Sequence, residues 1–223
     1  MEILFLGHSA FLLKGTKNVL IDPFLTGNPS AAAGPGDLGD IDMVLVTHGH
    51  GDHLGDALDI AKEHDAVFVA MHEIANFASS KGVLRIEPMN IGGSITVDGV
   101  VITMTNATHS SDFEGGSAHP AGFVVAMDGH RVYHAGDTGV FCGMSLICEL
   151  YHPEVAILPI GSRYTMDVGE AIKAVELLEP SIVIPMHYGT FPLIDSQDPK
   201  DLAKGVGTRA DVRILAPGES TSL

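Results

Sequence analysis

Four side chains able to ligate a metal fall within six positions in Thr47-His48-Gly49-His50-Gly51-Asp52-His53. Buried imidazoles and carboxylates are costly unless a charge satisfies them, so such a run points to a bound cation. His48 and His50 are two apart; in an extended chain they point the same way and can share one ion. Asp52 and His53 are displaced into the start of the next helix, where they can hold a second ion. Four donors do not close two sites. Three more stand just after apparent strands: His109 in Ala107-Thr108-His109-Ser110, Asp137 in Gly136-Asp137-Thr138, and His187 in Met186-His187-Tyr188.

Nitrogen and oxygen donors without a thiolate suit zinc, the default, with manganese or iron as the other choices. Two dications and two aspartates leave a site of about +2, which draws an anionic substrate. Bound metal lowers the pKa of water and polarises a scissile oxygen, so the expected nucleophile is a hydroxide bridging two ions. Asp52, both ligand and orienting carboxylate, is the expected catalytic residue. No lipase-type or papain-type nucleophile motif is present, so covalent catalysis is the weaker idea.

Other residues carry two readings each. His8 follows the first strand and either enters the cavity to contact substrate or is a hydrogen-bonded structural histidine. Tyr188 directly follows His187 and either faces substrate or packs. Arg163 either grips a phosphate or carboxylate bidentately or is solvated. Asp22 is expected to accept a bond from a metal-bound imidazole rather than to ligate.

The elements that position these residues are short. Apolar strands are expected at 3–6, 10–13, 19–22, 42–47, 66–71, 95–97, 100–105, 122–127, 131–134, 155–158, 182–185 and 212–215. Helical faces run over 54–64, 72–81, 168–178 and 199–205, with Asp167 as an N-cap and Gly82 as a stop. The segment 23–39, rich in Gly, Pro and Ala, reads as a surface loop. Hairpins come first and strand–helix–strand units follow, which suggests two sheets with helices outside in a single domain, 1–223. At 223 residues the chain can bury a sizeable core.

Composition excludes several classes. The net charge is −16, from 12 Lys and Arg against 28 Asp and Glu. The basic residues are scattered singly, so no nucleic-acid partner is expected. No apolar run is long enough to span a bilayer, and no leader precedes the first strand, so a cytoplasmic protein with no membrane partner is expected. Cys142 and Cys148 read as free thiols.

The ordered set T-H-x-H-x-D-H, a later His, a Gly-Asp-Thr aspartate and a last His after a strand resembles the metallo-β-lactamase superfamily over nearly the whole chain. Leu6-Gly7-His8-Ser9, Ile21-Asp22-Pro23, 161–167 (GSRYTMD) and Pro217-Gly218-Glu219 look like its metal-dependent hydrolase branch, related to L-ascorbate-6-phosphate lactonase. The resemblance implies an α/β fold, a four-layer αβ/βα sandwich of two mixed sheets. It also implies that His48, His50 and His109 bind one metal, that Asp52, His53 and His187 bind the other, and that Asp137 bridges them. Manganese gains weight because the lactonase relative uses it. Asp137 stands where the commonest zinc β-lactamases have Cys, and His50 where the flavin-linked di-iron reductases have Glu; both departures argue against those chemistries. The expected activity is hydrolysis of an ester, lactone or phosphoester in a small anionic molecule. A phosphodiesterase or nuclease on the same site and a noncatalytic metal-binding sensor are the alternatives. Relatives often assemble, so a homo-oligomer stays open.

Overall fold

The computed structural model describes residues 1–194 and 197–223. In chain order the first elements are β1 (Glu2–Gly7), β2 (Ala10–Lys14), β3 (Asn18–Ile21), β4 (Met43–Val46), α1 (Gly51–Leu54), α2 (Ala57–Glu63), β5 (Val67–Met71), α3 (His72–Ser80) and β6 (Ile86–Met89). Next come β7 (Ser94–Val97), β8 (Val100–Asn106), a small hairpin of β9 (Asp112–Phe113) and β10 (Gly116–Ser117), β11 (Ala121–Met127) and β12 (His130–His134). The last are α4 (Met144–Tyr151), β13 (Val155–Pro159), α5 (Val168–Leu178), β14 (Ile182–Met186), α6 (Pro199–Val206), β15 (Asp211–Val212) and β16 (Ser220–Ser222).

Two mixed sheets result, ordered β16-β1-β2-β3-β4-β5-β6 and β15-β14-β13-β12-β11-β8-β7. In each, antiparallel hairpins supply one part and parallel crossovers the rest. The central strands β13 and β14 of the second sheet are buried on both faces, and the alternation of β13 shows in where each residue goes. Val155 and Ile157 enter the core shared with the first sheet, while Ala156 and Leu158 enter a separate core under α4, α5 and α6. Ile60, Ile74 and Ala78 of α2 and α3 close the outer face of the first sheet. The order is helix, sheet, sheet, helix, which is the expected four-layer sandwich.

The expected helix over 54–64 is broken in two. Gly55 has φ +36°, and a Cβ there would lie 2.6 Å from the Pro23 carbonyl oxygen. Asp56 then turns its carboxylate back to accept from the Leu25 and Thr26 N–H groups at 2.9 and 2.8 Å. This break pins the 23–39 loop, which also contains a 3-10 turn at Pro35–Asp37. The last expected strand, 212–215, pairs only at 211–212. The helix α5 matches its expected span, and the Asp167 carboxylate accepts from Glu170 N–H at 2.8 Å.

The ends of β1, β3, β4, β8, β12 and β14 lead into His8, Asp22, Thr47–His48, His109, Asp137 and His187. Two backbone bonds stitch the sheets together at this edge: Ala121 N–H to Thr47 O at 3.0 Å, and His187 N–H to His8 O at 2.8 Å.

Candidate metal centre

The site grows outward from Asp22. Its carboxylate is fully buried and accepts three bonds, from Thr47 N–H at 2.8 Å, Thr47 Oγ1–H at 2.6 Å and His53 Nδ1–H at 2.8 Å. Burial opposes ionisation of Asp22, but the His53 charge and hydrogen bond outweigh it and hold the carboxyl below its usual range. Thr47 has spent its one proton on Asp22, so at its 3.1 Å contact with His48 the hydroxyl accepts from Nδ1–H. That fixes the His48 tautomer and leaves Nε2 a lone pair. Burial and the neighbouring His53 push the His48 pKa well below 6.5, so the ring is neutral.

His50 is fixed the same way from the solvent side. Its Nε2 lies 3.1 Å from the Asp112 carboxylate, an acceptor only, so Nε2 carries the proton and Nδ1 a lone pair. With both rings neutral, His48 Nε2 and His50 Nδ1 face each other across 3.0 Å with two lone pairs and no proton to share. A cation resolves that arrangement.

Asp137 occupies the middle. Its Oδ1 lies 3.2 Å from His53 Nε2, and its Oδ2 lies 3.0 Å from His187 Nε2 and 3.5 Å from His109 Nε2. Among the described residues, His53 Nε2, His187 Nε2 and Asp137 Oδ1 are buried polar atoms with no hydrogen-bond partner. Donor atoms around one tetrahedral ion at roughly 2.0–2.1 Å stand roughly 3.3 Å apart. The separations here are of that size, so the residues fit the expected divalent ions. Burial disfavours a charged His53, yet Asp137 and Asp22 prevail and hold its pKa well above 6.5; positive charge is wanted at this spot.

The potential ligand atoms fall into three overlapping sets, each within 4.8 Å: His48, His50 and His109; His8, Asp52, His53 and His187; and His48, His53 and Asp137. All seven expected ligands are thus brought together. Of the two readings open for His8, the structure favours the hydrogen-bonded histidine, which lies beneath Asp52. It is 1% exposed, with Nε2–H directed at Asp52 Oδ2 at 3.2 Å and Nδ1 2.9 Å from the Thr190 hydroxyl. Burial drives its pKa down to about 4, so it is a neutral donor at pH 7. Asp52 stays ionised: burial opposes its charge, but the bond from His8 and the His53 charge hold its carboxyl far below 3.8.

His8, Asp22 and His187 all sit at positive φ, +58°, +49° and +58°. Left-handed backbone in three non-glycine residues around one site is stored strain of the kind found at functional centres. Gly161 makes room for His187: a Cβ there would lie 2.3 Å from the His187 carbonyl oxygen and 2.9 Å from Nδ1.

A cavity of about 320 Å³ opens over the cluster, lined by His50, Asp52, His109, Ser110, Asp137, Tyr164 and His187. None of the three expected substrate contacts lines it. Tyr188 turns towards the core under α5, and burial raises its hydroxyl pKa. Arg163 lies beside the Tyr164 ring, 5.7 Å from its centroid. Tyr164, half exposed, holds the place foreseen for its neighbour. Sequence reasoning picked the charged residue of the loop because guanidinium recognises anions; only the fold shows which side chain faces inward.

A family model described as a beta-lactamase superfamily domain matches residues 17–188. A UPF0173 metal-dependent hydrolase of Methanosarcina mazei is 51% identical over 100% of this chain and 99% of its own length. The chain belongs to this superfamily, among its UPF0173 metal-dependent hydrolases. A second such hydrolase, from Archaeoglobus fulgidus, is 50% identical over 99% of this chain and 98% of its own. The metallo hydrolase Igni18 of Ignicoccus hospitalis has the same fold, with a TM-score of 0.91 and 42% identity over 99% of this chain and 97% of that one. Like these relatives, the protein is a metal-dependent hydrolase. Among the described residues no helix is long and apolar enough to cross a membrane.

Proposed function

We propose that the protein hydrolyses an ester, lactone or phosphoester bond in a small anionic molecule with two divalent ions, zinc in the first instance. One ion would be held by His48, His50 and His109, the other by Asp52, His53 and His187, with Asp137 reaching both. The observation that carries this reading is the 3.0 Å approach of His48 Nε2 and His50 Nδ1, whose other nitrogens contact Thr47 and Asp112, beside the partnerless atoms of His53, His187 and Asp137. Divalent ions bound there supply Lewis-acid polarisation and lower the pKa of water.

The chain's own groups do the rest. Asp22 holds His53 by its Nδ1–H, and Thr47 holds His48 by its own, so both rings present Nε2. His8 fixes one carboxylate oxygen of Asp52 from below. Asp52, ionised and one-third exposed, faces the cavity, where it orients the attacking water and accepts its proton. Ser110 and Tyr164 offer hydroxyls from the cavity wall to substrate oxygens. With the ions bound the site is net positive, which favours an anionic substrate in a molecule of net charge −16.

The test is a panel of esters, lactones, phosphomonoesters and phosphodiesters, assayed before and after chelation and after zinc or manganese is restored. Chelator-sensitive turnover of a small ester, lactone or phosphoester is expected. Cleavage of RNA without turnover of any small substrate would overturn the reading, as would turnover indifferent to metal.

A further inference from the structure

Beside the metal centre lies a second, larger cavity of about 610 Å³, within the range of small-molecule sites. His50 lines both cavities, so they lie next to each other on either side of that side chain. The apolar wall of the larger one is made by Leu54 of α1, Leu58 of α2, Phe77 of α3 and Phe113 of β9, all half-buried, and charged side chains line the rest. Phe77 and Phe113 stand 5.1 Å apart between ring centroids, and form a continuous aromatic side. The hairpin that carries Phe113 is seated against the metal-binding loop: a Cβ on Gly49 would lie 2.8 Å from the Phe113 ring.

The charges around this groove are already matched. Lys62 pairs with Asp59 at 2.6 Å, Lys81 with Glu114 at 3.0 Å, and Asp112 with His50 at 3.1 Å. Among the described residues each lysine of the lining has a counter-ion, and the uncharged side chains left between these pairs are Leu54, Leu58, Phe77 and Phe113. We infer that the groove holds a neutral hydrocarbon chain attached to the anionic group bound at the metal centre, so that the substrate is an amphiphile with its scissile bond next to its polar end. This rests on the two-ion hydrolase reading and narrows its substrate class.

The test uses n-alkylphosphonates from methyl to octyl, which carry an anion for the metal centre and cannot be turned over as esters. Binding to zinc-loaded protein is measured by calorimetry. Affinity should rise by about two- to fourfold per methylene as the chain enters the groove, since burial stabilises in proportion to apolar area. Leu58→Glu and Phe77→Ala should each flatten that series while leaving methylphosphonate affinity unchanged, which also shows that the variants are folded. Equal affinity for methyl- and octylphosphonate would overturn the groove and leave the metal centre standing. A chain-length gain that survives in both variants would overturn it too. No binding of any phosphonate would overturn both readings.

Discussion

The centre has two sides built on opposite terms. The deep side, Asp22, Thr47, His53 and His48, is buried and locked by hydrogen bonds of 2.6 to 3.1 Å that settle which nitrogen each ring presents. The rim, His50, Ser110, Asp112 and Tyr164, is partly or wholly exposed, and its shortest side-chain bond among these four residues runs from His50 to Asp112 at 3.1 Å. Burial makes the deep side intolerant, because a buried group left without its partner keeps its full desolvation cost. The rim has water as an alternative partner. On the two-ion proposal the difference assigns tasks: the deep side would fix the ions, and the rim would meet whatever is brought to them.

That contrast can be broken at several points. The largest effect is expected where the two sides join, at Asp52. Asp52→Asn should lower kcat by about 10²- to 10⁴-fold, the range for a lost proton acceptor, in steady-state assays of any substrate found. Asp22→Ala comes next. It should cost about 10- to 100-fold in metal affinity by competition with a chromophoric chelator, because His53 loses the group that orients it. The same variant should be destabilised by about 3–5 kcal/mol in urea, the scale for stranding one member of a buried charged pair.

His8→Ala should act through Asp52 alone. A fall in kcat of about tenfold with two ions retained is expected, and His8→Gln, which keeps an N–H donor, should recover part of it; this is the size of loss seen when an outer hydrogen bond to a ligand goes. Loss of metal from His8→Ala would instead make His8 a ligand. The smallest effect belongs to the rim. Tyr164→Ala should raise KM a few-fold and leave kcat and metal content alone, as expected for uniform binding. A metal loss there equal to that of Asp22→Ala would erase the distinction between the two sides.

Much of the deep side was legible in the sequence, because metal ligands are restricted in type and their spacing follows strand and helix periods. His109, Asp137 and His187 were found because each follows an apolar strand. Asp22 is expected to accept from an imidazole of the site rather than to ligate, and it accepts from His53 Nδ1–H. The rim was not legible. Whether Arg163, Tyr164 or Tyr188 faces inward depends on loop backbone that no periodicity encodes. The same limit explains the fold's surprises. The break between α1 and α2 rests on a close approach of Gly55 to Pro23, 32 residues upstream. The helix α4 leaves Leu146 and Leu150 exposed beside buried Met144 and Ile147, so its apolar pattern gives no single face. The edge strand β6 contains Pro88, and β9, β10 and β16 have two or three residues each.

The central claim is that the buried lone pairs converge on two cations, and metal content per chain tests it most directly. Plasma mass spectrometry on protein purified without added metal, with Asp137→Ala alongside, gives the count and the element together. The account predicts about two divalent ions per chain and a clear fall in the variant, since Asp137 reaches the nitrogens of both sets. Fewer than about 0.2 ions per chain, unchanged in the variant and not restored by zinc or manganese, would contradict it.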